Sequence, residues 1–173
     1  PEQSLKDAEN YIINPAGTWT IGASASDSGL TNRKLIVDSY GPVAHHGGGG
    51  YSGKDLTKVD RSAAYYGRYV TKNLVAAGLA DRIELSVAYA IGVAHPVDLS
   101  INTFGTEHKP ISEIKNIIDR VFDFRPKAIF DNISPIQGEH VFEEASAHGH
   151  FGRNPRNLFK WERLDKVEEI KNS

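Results

Sequence analysis

Val59 to Gly78 reads VDRSAAYYGRYVTKNLVAAG, and shortly after it Ile83 to Val93 reads IELSVAYAIGV. In the first stretch Val59, Ala63, Tyr66, Val70, Leu74 and Ala77 recur at helical spacing, and Gly78 stands where a left-handed C-terminal cap belongs. In the second, Ile83, Leu85, Val87, Tyr89, Ile91 and Val93 are large and apolar and alternate with small or polar residues. That period of two is the mark of a strand with one buried face. An amphipathic helix followed directly by a half-buried strand is the nucleus around which the rest of the chain is read.

Working outward, Pro96 ends the strand, Leu99 to Phe104 return as its partner, and Gly105 turns the chain again. Ile111, Ile114, Ile117, Ile118, Val121 and Phe122 predict a second amphipathic helix, and Pro126 suits the first turn of a third. From Asn132 to Gly152 the text is broken by Pro135, Gly138, Gly149 and Gly152, so loop is expected with a short helix near Phe142 to Ala147. The charged tail after Trp161 is expected to finish as a helix. Upstream, Thr18 to Ile21 reads as a strand entering a loop. Lys34 to Tyr40, KLIVDSY, has the β-branched composition of a buried strand and stops at Gly41-Pro42. Strands paired through hairpins, with helices laid on one face, give an α+β class with mixed or antiparallel sheets.

Composition narrows the function classes. With 20 basic and 22 acidic residues among 173, a formal charge of -2 and 39% hydrophobic content, the chain is globular and has no global field to recruit nucleic acid or anionic lipid. It contains no cysteine, which excludes disulfides and thiolate metal sites. No run approaches a membrane span and no signal-peptide pattern opens the chain, so the expectation is a cytoplasmic protein. The absence of methionine and the start at Pro1 read as part of something longer.

Any anion site therefore has to be built locally, and HHGGGGYSGKDLTK (His45 to Lys58) is the place to build one. Gly48 to Lys54 satisfies G-x-x-x-x-G-K, but Asp55 follows where a P-loop needs Ser or Thr for magnesium. The pattern fails while the physics survives. Four consecutive glycines let backbone N–H groups approach an anion, and Lys54 and Lys58 can reach the same point. A flexible glycine loop with solvated lysines is the competing reading. Asp27, Arg33 and Lys34 lie just upstream, and a guanidinium fork beside a point charge suits a polyphosphate. One of these cations could equally be solvated at a strand edge. Asp60 is a candidate magnesium ligand or a helix cap. His148 and His150, two residues apart, lack a third ligand for zinc; His95 and His108 read as exposed turn residues, and Tyr65, Tyr66 and Tyr69 as core.

Three segments carry a resemblance: GLTNRKLIVDSYG (29–41), HGGGGYSGKDLTKVDRSAAYYGRYVTKNLVAAGLADRIELSVAYAIGVAHP (46–96) and AHGHFGR (147–153). Together they resemble the carboxyl-terminal portion of methionine adenosyltransferases, also called S-adenosylmethionine synthetases. The resemblance implies an enzyme that joins methionine sulfur to the 5′ carbon of ATP and releases the triphosphate as phosphate and pyrophosphate, with Mg2+ and K+ assisting. By position it places Arg33, Lys34 and Lys54 on the polyphosphate as the catalytic cations, and Asp27 and Lys58 between the ATP and methionine sites. Thr18 and Trp19 lie in the nucleotide segment, with Trp19 where the family usually has an adenine-stacking phenylalanine. Gly50 replaces a small residue near the nucleotide, and Asp60 matches a metal-proximal aspartate.

The resemblance further implies three similar domains interleaved in sequence. Residues 1–15 would end one, 16–60 would belong to the central domain with the phosphate loop, and 61–173 would form the carboxyl-terminal one. A homodimer with the active site at its interface is implied, assembled further to a tetramer. Ala23-Ser24-Ala25-Ser26 replaces the family's glycine and proline, and His45 replaces an arginine. The family's G-H-P-D segment and methionine-binding loop lie outside this sequence, so only part of an active site is expected here. The alternative is an isolated phosphate- or nucleotide-binding piece, or a non-catalytic partner.

Overall fold

A computed structural model describes residues 12, 15–18, 20–22, 25, 34–135, 140–153 and 157–173. The expected helix is the axis of the molecule: α2, Val59–Ala76, runs for 18 residues. It ends as the sequence predicts. Gly78 takes φ +82°, its N–H donates to the Val75 carbonyl, and the Leu79 N–H reaches back to Leu74. These are the two bonds of a Schellman cap, in which an L side chain at position 78 would be strained.

The buried face of α2 is rotated from the one read off the sequence. Tyr66, Val70 and Leu74 are buried as expected, but the stripe also takes in Arg61, Ser62, Tyr65, Tyr69 and Asn73, while Val59, Ala63 and Ala77 fall to its half-buried flanks. The small residues mark the edge of the stripe, and aromatic rings define its centre because they bury the most apolar area.

The strand is shorter than its alternation. β1, Glu84–Ala88, pairs antiparallel with β2, Asp98–Asn102, in the register Leu85 to Ile101 and Val87 to Leu99. Those four side chains face inward onto the core. Beyond Tyr89 the chain leaves the sheet. The Val97 N–H already closes the hairpin on the Ala88 carbonyl, so among the described residues Ile91 has no strand opposite it, and it is 73% exposed.

α3, Ile111–Val121, buries Ile114, Ile117 and Ile118, and α4, Pro126–Ile133, buries Ile129 and Ile133. Pro126 stands in the first turn of α4, as its missing N–H favours. α5, Val141–Ala145, and α6, Val167–Lys171, are the expected short helices. The tail crosses back over α2 through a 3-10 turn, Lys160–Glu162, placing Phe159, Trp161 and Ile170 in the core. Helices and a two-stranded sheet give the expected α+β class. Among the described residues no helix is long and apolar enough to cross a membrane.

Two expected strands are absent among the described residues, and Thr18, Thr20 and Ile21 lie in no regular element. Lys34 to Tyr40 contains a single helical turn, α1, Leu35–Asp38, with no buried residue. Ile36 and Val37 are 45% and 73% exposed. A β-branched sequence makes a strand only where a neighbour supplies hydrogen bonds and a face to pack on. Among the described residues no strand pairs with this segment.

Two buried polar centres fix the tail. Glu162 accepts both prongs of Arg68 (3.1 and 3.0 Å), Lys72 (2.8 Å) and the Gly152 N–H (2.8 Å). Burial works against its charge, but these donors outweigh it and hold the carboxyl below the usual range. His150, fully buried, shares a hydrogen bond of 2.5 Å with the Tyr65 hydroxyl. Burial pushes its pKa down to about 4.

Because the unfolded imidazole takes up a proton near its ordinary value of 6.5 and the folded one only near 4, stability is full above pH 6.5 and drains away as pH falls between those values. That gap corresponds to about 3 kcal/mol. Denaturant midpoints measured across this range should fall with acid, and His150→Asn should flatten the slope. Glu162→Ala should destabilise by roughly 1–3 kcal/mol by taking the shared acceptor away from the half-buried Arg68 and Lys72, read by the same unfolding measurement.

Candidate functional site: the glycine loop at the head of α2

Gly47 to Lys58 forms an irregular loop, anchored by two of its own side chains. Tyr51 and Leu56 are each 3% exposed and belong to the core. Tyr51 packs edge-on against Tyr65, His150 and Phe151, and His46 donates to or accepts from its hydroxyl at 3.2 Å. The glycines are therefore carried on a buried aromatic pedestal. Their lysine-bearing end faces outward.

Lys54 Nζ donates to Asp60 Oδ2 at 2.6 Å. Asp60 lies in the first turn of α2, where the helix dipole favours a carboxylate. The same carboxylate lies directly against Gly49, so a Cβ at position 49 would overlap its atoms. This close approach is the reason for one of the four glycines. Lys58 is the residue before the helix and is exposed. Gly50 is half-buried between Gly49 and the Tyr51 anchor.

The loop is not a P-loop in three dimensions. α2 begins at Val59, several residues past Lys54. Asp55, in the place of the missing Ser or Thr, has its carboxylate occupied by the Thr57 hydroxyl and N–H, which hold it below the usual range. What the loop offers is an ammonium, a carboxylate and closely approachable backbone at the positive end of a long helix. The two charged groups arise from residues that the sequence singles out independently.

Arg61 is the residue that sequence reading missed. It is 3% exposed and its Nη1 donates to the Lys54 carbonyl at 2.8 Å. A signal was present: Arg61, Tyr65 and Tyr69 stand four apart on one face, so a cation lies in line with two core aromatics. His150 was missed for a related reason. Its neighbour His148 is exposed, with φ +62°, and only the alternation between them distinguishes a core histidine from a surface one. His95 and His108 are exposed as expected, and Tyr65, Tyr66 and Tyr69 are core.

The segment 34–43 is held beside this loop by the AHGHFGR stretch. The His150 N–H donates to the Asp38 carbonyl at 2.9 Å, and Tyr40 stacks on Phe151 with ring centroids 4.9 Å apart. Lys34 is exposed at the head of α1; no hydrogen bond or ion pair among the described residues joins it to Lys54 or Asp60. Thr18 is exposed. Trp19, Asp27 and Arg33 lie outside the described residues. His45, in the place of the expected arginine, binds Glu84 of β1 through its N–H (3.0 Å) and Nδ1 (2.9 Å), tying the start of the loop to the sheet.

Among the described residues no group of three or more His, Asp or Glu is arranged to hold a metal. A magnesium ion carried by nucleotide phosphates needs only one or two protein carboxylates. Asp60 offers one such carboxylate, beside Lys54.

Comparison with known proteins bears directly on this geometry. The family model described as S-adenosylmethionine synthetase, C-terminal domain, matches residues 21–163, which contain the loop, α2 and the tail turn. The S-adenosylmethionine synthase of Oenococcus oeni is 54% identical over 171 residues, covering 99% of this chain and 43% of that protein. S-adenosylmethionine synthase 1 of Pinus contorta is also 54% identical, over the same shares of each. A solved structure described as an unusual S-adenosylmethionine synthetase from Campylobacter jejuni superposes with a TM-score of 0.74 at 39% identity, covering 93% of this chain and 42% of that one. The chain spans less than half the length of these relatives. With a match that takes in the glycine loop and the helix behind it, the chain belongs to the S-adenosylmethionine synthetase family, of which it carries the C-terminal portion.

Proposed function

We propose that this chain forms one wall of the active site of a methionine adenosyltransferase, the enzyme that makes S-adenosylmethionine from ATP and L-methionine with release of phosphate and pyrophosphate. The observation that carries this reading is the Lys54–Asp60 pair at the head of α2, lying over Gly49 within a loop whose backbone is anchored in the core.

In the reaction the methionine sulfur attacks the 5′ carbon of ATP, forming the S–C bond as the C–O bond to the triphosphate breaks. The sulfur becomes a sulfonium without losing a proton, so no general base is needed. The difficulty is charge: the leaving oxygen gains negative charge as the bond breaks. Donors fixed on the triphosphate lower that barrier more than they stabilise the bound substrate. Lys54 supplies three N–H donors, and Asp60 takes one of them, which sets where the ammonium stands. Arg33 and Lys34 join it on the polyphosphate, Thr18, Trp19 and Gly50 hold the nucleoside end, and Asp27 and Lys58 lie toward methionine. Asp60 would hold the Mg2+ that comes with the nucleotide, which would supply further neutralisation of the leaving group. K+ is carried over from the resemblance, and we assign it no residue.

The missing wall comes from outside these residues, in keeping with a chain that spans 43% of its relatives. Ile36, Val37 and Val43 support assembly as a homodimer with the site at its interface, and further as a tetramer, because they expose apolar surface beside the loop, at 45%, 73% and 64%. A cytoplasmic location follows from substrates found there. In this reading residues 16–60 belong to a central domain and 61–173 to the carboxyl-terminal one.

In the full native protein, Lys54→Ala should lower turnover of ATP and methionine to S-adenosylmethionine by about 100-fold or more, the effect of removing one fixed donor from a charged transition state; unaltered turnover would sink the assignment of the loop. Gly49→Ala should displace the Asp60 carboxylate and lower kcat/KM for ATP by about tenfold or more, since small misplacements of a catalytic group are costly. A variant that keeps full kcat/KM would show that the close approach at Gly49 has no bearing on catalysis.

A further inference from the structure

Arg61 is a buried cation with a setting that packing alone does not require. It is 3% exposed at the head of α2. Its described partners are all uncharged: the Lys54 carbonyl at 2.8 Å, the Tyr65 hydroxyl at 3.1 Å, and the ring faces of Phe142 and Tyr65 at 4.1 and 5.3 Å. The remaining fork nitrogen, Nη2, is buried with no hydrogen-bond partner among the described residues. Holding an ionised guanidinium out of water in this way is costly, and an apolar side chain on the same helix face would fill the space without that cost.

The geometry shows what is gained. The Lys54 carbonyl belongs to the residue whose ammonium meets Asp60, and a planar fork clamped between Tyr65 and Phe142 fixes that carbonyl in direction as well as distance. Tyr65 continues the support. Its hydroxyl accepts from Arg61 Nε and meets His150 Nδ1 at 2.5 Å, and the His150 carbonyl accepts from Trp161 Nε1 at 2.9 Å. The backbone at Lys54 is thereby tied, through three side chains, to the centre of the core.

We propose that Arg61 is a positioning residue for triphosphate chemistry: it holds the Lys54 backbone so that the ammonium stands at one fixed point above the glycine loop. The inference rests on the reading of that loop as the triphosphate site. It assigns Arg61 no contact with substrate. Lysine at position 61 keeps the charge but has no fork with which to bind the carbonyl and the Tyr65 hydroxyl together, so it should restore folding without restoring the position of Lys54.

The test is a double-mutant cycle in the full native protein, with the affinity for inorganic tripolyphosphate measured by calorimetry, turnover measured in parallel, and thermal melting as the control for folding. Lys54→Ala should weaken tripolyphosphate binding at least tenfold. Arg61→Met should weaken it by about tenfold, the scale of one charge-assisted hydrogen bond. In the Lys54→Ala background the same Arg61 change should cost less than twofold, because the group it positions is gone. A second tenfold loss in that background would overturn the proposal, since it would mean that Arg61 acts independently of Lys54. Should Arg61→Met melt below the assay temperature, Arg61→Lys decides: folded protein with kcat reduced about tenfold supports positioning, and folded protein with unchanged kcat overturns it. If Lys54→Ala binds tripolyphosphate as tightly as the parent, the reading of the loop fails first and the role of Arg61 falls with it.

Discussion

The structure is organised by one constraint: α2 carries cations on and beside its buried face, Arg61 fully buried and Arg68 and Lys72 half-buried, and each is met by a partner where it leaves water. Arg68 and Lys72 are met by Glu162, which the tail brings across the helix. Arg61 is met by the Lys54 carbonyl and by aromatic faces. The first solution pins the tail to the helix, and the second pins the glycine loop to it. Neither partner could be moved without leaving a buried charge uncompensated, which costs far more than an ordinary lost contact. The tail and the loop occupy their places because the helix between them is charged on its inner side.

Much of the architecture was legible because it is local. The helix cap at Gly78, the hairpin, and α3 and α4 follow from periodicity and from the conformational limits of glycine and proline, and no distant residue is needed to read them. What was misread depends on distant partners. KLIVDSY has the composition of a strand, but composition cannot supply the neighbouring strand that would satisfy its backbone. The buried stripe of α2 was read as including Val59, Ala63 and Ala77, whereas it is centred on the tyrosines expected in the core, where the tail packs through Trp161 and Asp165, far along the chain.

The site divides the same way. Lys54 and Asp60 could be singled out because charge beside a glycine run is visible in sequence, and the structure brings them into contact. Arg61 is marked in the sequence only by standing in line with Tyr65 and Tyr69, and its burial is what sets it apart from a surface cation. His150 was hidden for the opposite reason: a histidine two residues from an exposed one, between glycines, looks like loop, yet it is fully buried. Its hydrogen bond to Tyr65 spans 85 residues, a separation that no short motif encodes.

That separation also bears on how the protein acquires its shape. The bonds joining Arg68 to Glu162 and Tyr65 to His150 link positions 94 and 85 residues apart. Contacts of such range close large loops and form slowly compared with helix or hairpin. The glycine loop lies early in the sequence, but the pedestal beneath Tyr51 is complete only once His150 and Phe151 have docked. During synthesis the glycine loop therefore leaves the ribosome well before the residues that make it rigid, and its maturation is set by the arrival of the tail.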